Sequence, residues 1–194
     1  MNRSKSDKKA KIIAVAIETI HKHGVRKTTL EDIAIASGMA NASLYYYFQN
    51  KTDIVRAALD VLMNNAFDDI DAIIKSQSTV EEKLDAAVKS VILRFSSSGI
   101  LTDMNKSTRS EMLVMANEFS EKFAHRYKAL LRNILSKGVQ DGVFYVRDIE
   151  LTASVLSSAV FGYLMNAVNV DSVQLSEVWV NEVGKLLMYG LKKR

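Results

Sequence analysis

Apolar residues recur at three- and four-residue intervals along almost the whole chain. Ile12, Ile13, Ala16, Ile17 and Ile20 fall on one face, which predicts a helix from about Asp7 to His23. Gly24 is a natural left-handed stop, and Val25 can fold back onto the helix end. Thr29, with Asp32 three residues on, reads as a variant capping box opening a helix over about Leu30 to Ser37. Gly38-Met39-Ala40 makes a turn, and a short helix follows over roughly Asn41 to Phe48. Asn50 is placed to cap a long helix running through Ile54, Ala57, Ala58, Val61 and Leu62 towards Ile74.

The pattern stays helical beyond. Thr79 with Glu82 opens a helix to about Phe95, closed by Ser96-Ser97-Ser98-Gly99. Residues 100–105 carry no clear period. Two helices are expected between Ser107 and Lys137, ending at Gly138, with a turn at Gly142. Asp148 caps a helix to about Val168, and Ser176 caps the last, to about Leu191. No repeat or low-complexity tract interrupts the series. The fold class is all-α.

Composition supports that reading. The 194 residues include no Pro and 8 Gly, where average usage would give about ten Pro. Long helices joined by short connections follow, since Pro breaks helices and punctuates turns. The absence of Cys excludes disulfides, thiolate zinc sites, iron–sulfur clusters and cysteine nucleophiles. No run reaches the ~18 uninterrupted apolar residues of a membrane helix; Val155 to Val170 is broken by Ser157, Ser158 and Asn166. The apolar run from Ile12 to Ile17 follows lysines as a signal peptide would. It is short, ends at Glu18 and lacks a small-residue cleavage site, so a cytoplasmic protein with no membrane partner is expected.

Charge is unevenly placed. Residues 1–51 hold nine Lys/Arg against four acids, a balance of +5, while the remainder holds seventeen against eighteen. A basic segment suits phosphate backbones or an anionic membrane surface. A solvated lysine-rich tail accounts for residues 3–11, but not for Arg26, Lys27 and Lys51, which lie inside the patterned region.

Two short helices joined by a three-residue turn containing Gly form a helix-turn-helix. Ile33, Ala34, Met39, Leu44 and Phe48 can make its apolar hinge. The outer face of the second helix then carries Asn41, Ala42, Ser43, Tyr45 and Tyr46: an amide for base edges, a methyl for thymine and hydroxyls for phosphates. Lys51, Thr28 and Thr29 stand at helix starts, where phosphate can be held. Tyr47 and Phe48 partly pack inward. Aromatics on every side of so short a helix cannot all be buried, so at least one hydroxyl faces out.

Lys11 to about Leu59 resembles the N-terminal domain of TetR-type bacterial transcriptional regulators (the TetR/AcrR family). The resemblance rests on Gly24, Thr28-Thr29, Ile33-Ala34, Ser37-Gly38, Ser43-Leu44-Tyr45-Tyr46-Tyr47-Phe48 and Asn50-Lys51. Ala40 stands where the family commonly has a capping Ser or Thr, so that cap is weaker or moves to Asn41. Tyr47 stands where His is common, and is kept among the DNA contacts. The resemblance implies about nine helices, with a DNA-binding domain over 1–51 and an effector-binding and dimerisation domain over 52–194. It further implies a homodimer on a palindromic double-stranded operator, acting as a repressor released by a small hydrophobic effector, with no cofactor.

Two sets of residues in the body go with it. Phe95, Met104, Met112, Met115, Phe119, Phe123, Tyr127 and Phe161 are types that can line a hydrophobic pocket; each alone reads more readily as ordinary core, and the pocket is what the resemblance implies. Ser154, Ser158, Gly162 and Asn166 recur every four residues beside Val155, Ala159 and Met165, a small-residue stripe that admits a close helix neighbour. With Trp179, Val183, Leu186, Leu187 and Gly190 on the last helix, they are expected to form a four-helix dimer interface.

Enzyme readings are weaker. Glu18-Thr19-Ile20-His21 matches half of a di-iron motif without its second copy, and Glu121 with His125 gives two metal ligands without a third. There is no Gly-rich phosphate loop, Gly-x-Ser-x-Gly elbow or His-Glu-x-x-His. A membrane-surface role for the basic first helix lacks aromatic anchors.

Overall fold

The computed structural model describes residues 2–96, 110–167, 181–182, 184–186 and 189–191. Its helices are α1 (Asn2–His23), α2 (Leu30–Ala36), α3 (Asn41–Tyr45), α4 (Lys51–Lys75), α5 (Val80–Ser96), α6 (Ser110–Gln140) and α7 (Ile149–Ala167), with further helical residues among 181–191. The chain divides into two compact units. Among the described residues, the first comprises 2–64 and 110–119, the second the rest.

The first unit is built on the stripe predicted for α1. Ile12 and Ala16 meet Ile33 and Ala34 of α2, Leu44 of α3, Phe48 and Ile54 in one buried cluster. Met39, Leu30 and Tyr47 pack on its rim. Full burial of each large aliphatic or aromatic side chain is worth roughly 1.5–3 kcal/mol, so this cluster fixes the helix angles. In the same unit, Arg56 Nε donates to Glu118 Oε2 at 2.8 Å, and its Nη2 donates to Oε1 at 3.3 Å, joining α4 to α6.

In the second unit the ring of Phe123 lies 5.6 Å from Phe67, 5.6 Å from Tyr127 and 5.7 Å from Phe161. Burial pushes the Tyr127 phenol well above its ordinary value, so it stays protonated and donates to the Ala87 carbonyl at 3.3 Å. Ser157 Oγ donates to Ala124 O at 3.4 Å, tying α7 to α6. Glu150 receives Lys128 at 3.1 Å and Arg132 at 3.4 Å at the start of α7.

Three helix limits differ from the sequence pattern. α1 begins at Asn2, ahead of Asp7. α3 ends at Tyr45 rather than Phe48, where the Tyr47 amide closes a tight three-residue turn onto the Leu44 carbonyl at 2.9 Å. Gly138 does not end a helix: α6 is one helix from Ser110 that runs through it to Gln140. The ring of Phe144 occupies the place a Cβ at 138 would take, and Gly138 O accepts from the amides of Val143 and Phe144 at 2.9 and 3.0 Å. Close approach, not termination, calls for glycine there. The positions 97–109 and the Ser176 cap lie outside the described residues. Among the described residues, no helix is long and apolar enough to cross a membrane.

Candidate nucleic-acid interface

Local chemistry positions the two helices of the motif. Gly24, at φ +79°, ends α1 and donates to Ile20 O at 2.7 Å, and Val25 turns in to full burial. Thr29 caps α2: its hydroxyl accepts from the Asp32 amide at 3.1 Å, while its own amide donates to Asp32 Oδ2 at 2.8 Å. That reciprocal bonding, led by the Thr29 hydroxyl, holds the Asp32 carboxyl below the usual range. Gly38 takes φ +64° in the turn, a conformation that a side chain would strain. Ala40 then precedes α3 in extended conformation with no side-chain cap, so the cap has not moved to Asn41.

α3 sinks Leu44 into the core and turns its other positions outward. Asn41, Ala42, Ser43, Tyr45 and Tyr46 are all exposed. Tyr47 is half-buried against the core, its ring edge-on to Tyr46 at 5.2 Å. Lys51, at the start of α4, donates from Nζ to Arg26 O at 3.3 Å, while Asn50 Oδ1 caps α4 by accepting from the Asp53 amide at 2.8 Å. The arrangement leaves an amide, a methyl, a serine and two phenols accessible on α3 and its C-cap.

Thr28 is a correction. Its side chain is buried, and its hydroxyl donates to Gly24 O at 2.9 Å, so it braces the α1–α2 corner and offers no hydroxyl to phosphate. Lysines at the start of α1, which sequence reasoning assigned to a solvated tail, sit over rings of the motif: Lys5 Nζ is 4.4 Å from the Tyr46 centroid and Lys9 Nζ 5.0 Å from that of Phe48. No one-dimensional pattern points to that placement, because it depends on where α3 ends.

Of the expected effector set, Met115 and Phe119 are buried in the first unit, while Phe123, Tyr127 and Phe161 join the ring cluster of the second. Met104 and the side chains of Phe95 and Met112 lie outside the described residues. Of the expected interface set, Ser154 and Gly162 are half-buried and Ser158 is exposed. Trp179 and the side chains of Met165, Val183 and Leu187 lie outside the described residues. Glu121 and His125 are both exposed.

Two helices hinged over a small apolar core, with a short polar helix presented outward, define a helix-turn-helix DNA-binding protein. Residues 12–58 match the family model for bacterial regulatory proteins, tetR family. The chain is 26% identical to the fatty acid metabolism regulator protein of Bacillus subtilis (strain 168), over 99% of this chain and 100% of that one. The crystal structure of FadR from Bacillus subtilis in complex with stearoyl-CoA aligns over 93% of this chain and 98% of its own, with TM-score 0.68 and 24% identity. A TetR-family regulator from Pectobacterium atrosepticum shares the fold at TM-score 0.83 and 13% identity, over 100% of this chain and 98% of its own. Residues 12–58 thus match the DNA-binding domain of TetR-type transcriptional regulators, and the chain as a whole is similar to regulators of that type.

Proposed function

We propose that this regulator acts in the cytoplasm as a homodimeric repressor, seating α3 in the major groove of a palindromic operator. The observation that carries the reading is the outward surface of α3 and its C-cap, where Asn41, Ala42, Ser43, Tyr45 and Tyr46 stay exposed while Leu44 is fully buried. Asn41 and Tyr45 read base edges, whereas Tyr46, Tyr47 and Lys51 meet phosphates; the hydroxyl and amide of Thr29 are both given to Asp32. Two such helices must sit about 34–36 Å apart to meet successive turns of the duplex. The DNA-binding domain is 1–51, with 52–194 serving effector binding and dimerisation.

The second copy docks on α7. Leu151, Val155, Ser158 and Ala159 are exposed on a helix that is apolar nearly all round, and a Cβ added at Gly162 would meet nothing. The effector is a small hydrophobic molecule, with the cluster around Phe123, Tyr127 and Phe161 as one wall of its site. The stearoyl-CoA bound by the Bacillus subtilis structure makes long-chain acyl compounds the first class to try. An effector that prefers a different spacing of the α3 helices weakens operator affinity by linkage.

Duplexes retained from a random pool by the wild-type protein provide the test. Asn41→Ala or Tyr45→Ala should cost roughly 1–3 kcal/mol on the selected site and far less on random DNA, while Lys51→Ala weakens both alike. Equal losses on both duplexes for all three variants would overturn the assignment.

A further inference from the structure

α1 is longer than its apolar pattern requires. Its buried stripe of Ile12, Ala16 and Ile20 starts well inside the helix, and residues 2–11 contain one apolar side chain, Ala10. Positions 5, 9, 12, 16 and 20 follow one another in steps of four and three. The stripe that enters the core as isoleucine therefore leaves it, towards the N-terminus, as lysine. With about 100° between successive residues, Lys5, Lys8 and Lys9 share a sector of ~100°, and Asp7 points away from it. All three lysines are exposed.

Among the described side chains, no apolar burial holds this overhang in place. What holds it is a pair of ring contacts, Lys5 over Tyr46 at 4.4 Å and Lys9 over Phe48 at 5.0 Å. Both rings stand at the end of α3, so the overhang lies along one flank of the surface assigned to DNA. Tyr46 is 67% exposed, and a phosphate meeting its hydroxyl is within a side chain's length of the Lys5 ammonium.

We propose that Lys5 and Lys8 bind backbone phosphates beside the groove entered by α3, with Lys9 positioning the overhang on Phe48. The assignment rests on the DNA-binding reading of α3. Its ligand is the phosphate chain of the duplex, not the bases.

The experiment measures affinity for the selected duplex against KCl concentration, using the full chain as wild type, K5A/K8A, K5R/K8R and K75A/K83A. Loss of two phosphate contacts per protomer, four per bound dimer, should reduce the salt slope of K5A/K8A by about 3.6 and leave the preference for selected over random DNA unchanged. K5R/K8R should keep the wild-type slope, as should K75A/K83A, which removes equal charge elsewhere. Wild-type slope in K5A/K8A, or an equal fall in K75A/K83A, overturns the proposal while the DNA-binding reading stands. Failure of the wild type to retain any duplex overturns the DNA-binding reading and this proposal with it.

Discussion

Asp32 shows how one carboxylate fixes the entry to the reading motif. It receives the Thr29 amide at 2.8 Å and the Thr29 hydroxyl at 2.7 Å, and the second bond contributes most to holding its pKa below the ordinary range. A lowered folded-state pKa adds stability that is present above the unfolded carboxylate's pKa and is lost as pH falls through the folded value. Asp32→Asn should therefore melt below wild type at pH 7, with the two melting curves converging at acidic pH. Circular dichroism melts between pH 3 and 8 check this, and a constant gap across that range would contradict it. Residue types alone misled at Thr28. It and Thr29 are chemically identical neighbours, yet one hydroxyl is spent on Gly24 O inside the α1–α2 corner and the other caps α2. Only the direction of the chain after Gly24 separates them.

Helix starts were more legible than helix ends, for a physical reason. The caps at Thr29, Asn50, Thr79 and Asp148 each bond within three residues, as the Asn50–Asp53 pair at 2.8 Å and the Asp148–Leu151 pair at 2.9 Å do, so the sequence displays them directly. The far limits of α3 and α6 depend on the Tyr47 amide returning to Leu44 O and on Phe144 packing over Gly138, neither of which periodicity encodes. α1 departs from this, beginning at Asn2 ahead of Asp7, and α3 starts at Asn41 as expected but without a side-chain cap. Ala40 sits at φ −67° and ψ 142°, the extended geometry of a capping residue, without a side chain able to cap. Ala40→Ser should stabilise the protein by about 1 kcal/mol through a bond to an amide of the first turn. A rise in midpoint at unchanged slope in urea titration is the expected reading.

At the scale of the molecule, the resemblance to the family could be read from a quarter of the chain because the helix-turn-helix compresses turn, cap and hinge into consecutive positions. The body was less legible: inward spacing marks Phe123 and Tyr127 as buried without distinguishing packed core from pocket wall. The α7 stripe was seen, but Leu151 and Val155, respectively 61% and 57% exposed, mark its accessible side. Since a two-fold interface uses each residue twice, Val155→Glu should bring two like charges into the proposed contact and convert dimer to monomer in light scattering at micromolar concentration. An unchanged mass would remove α7 from that contact. The seat of Phe144 on Gly138 reaches further than its size indicates. The amide of Phe144 is held by Gly138 O at 3.0 Å, and that of the next residue, Tyr145, by Leu191 O at 2.8 Å. A single added carbon at 138 would displace the ring, loosen this clasp and be felt at Leu191, so the backbone there serves as a gauge of how α6 closes.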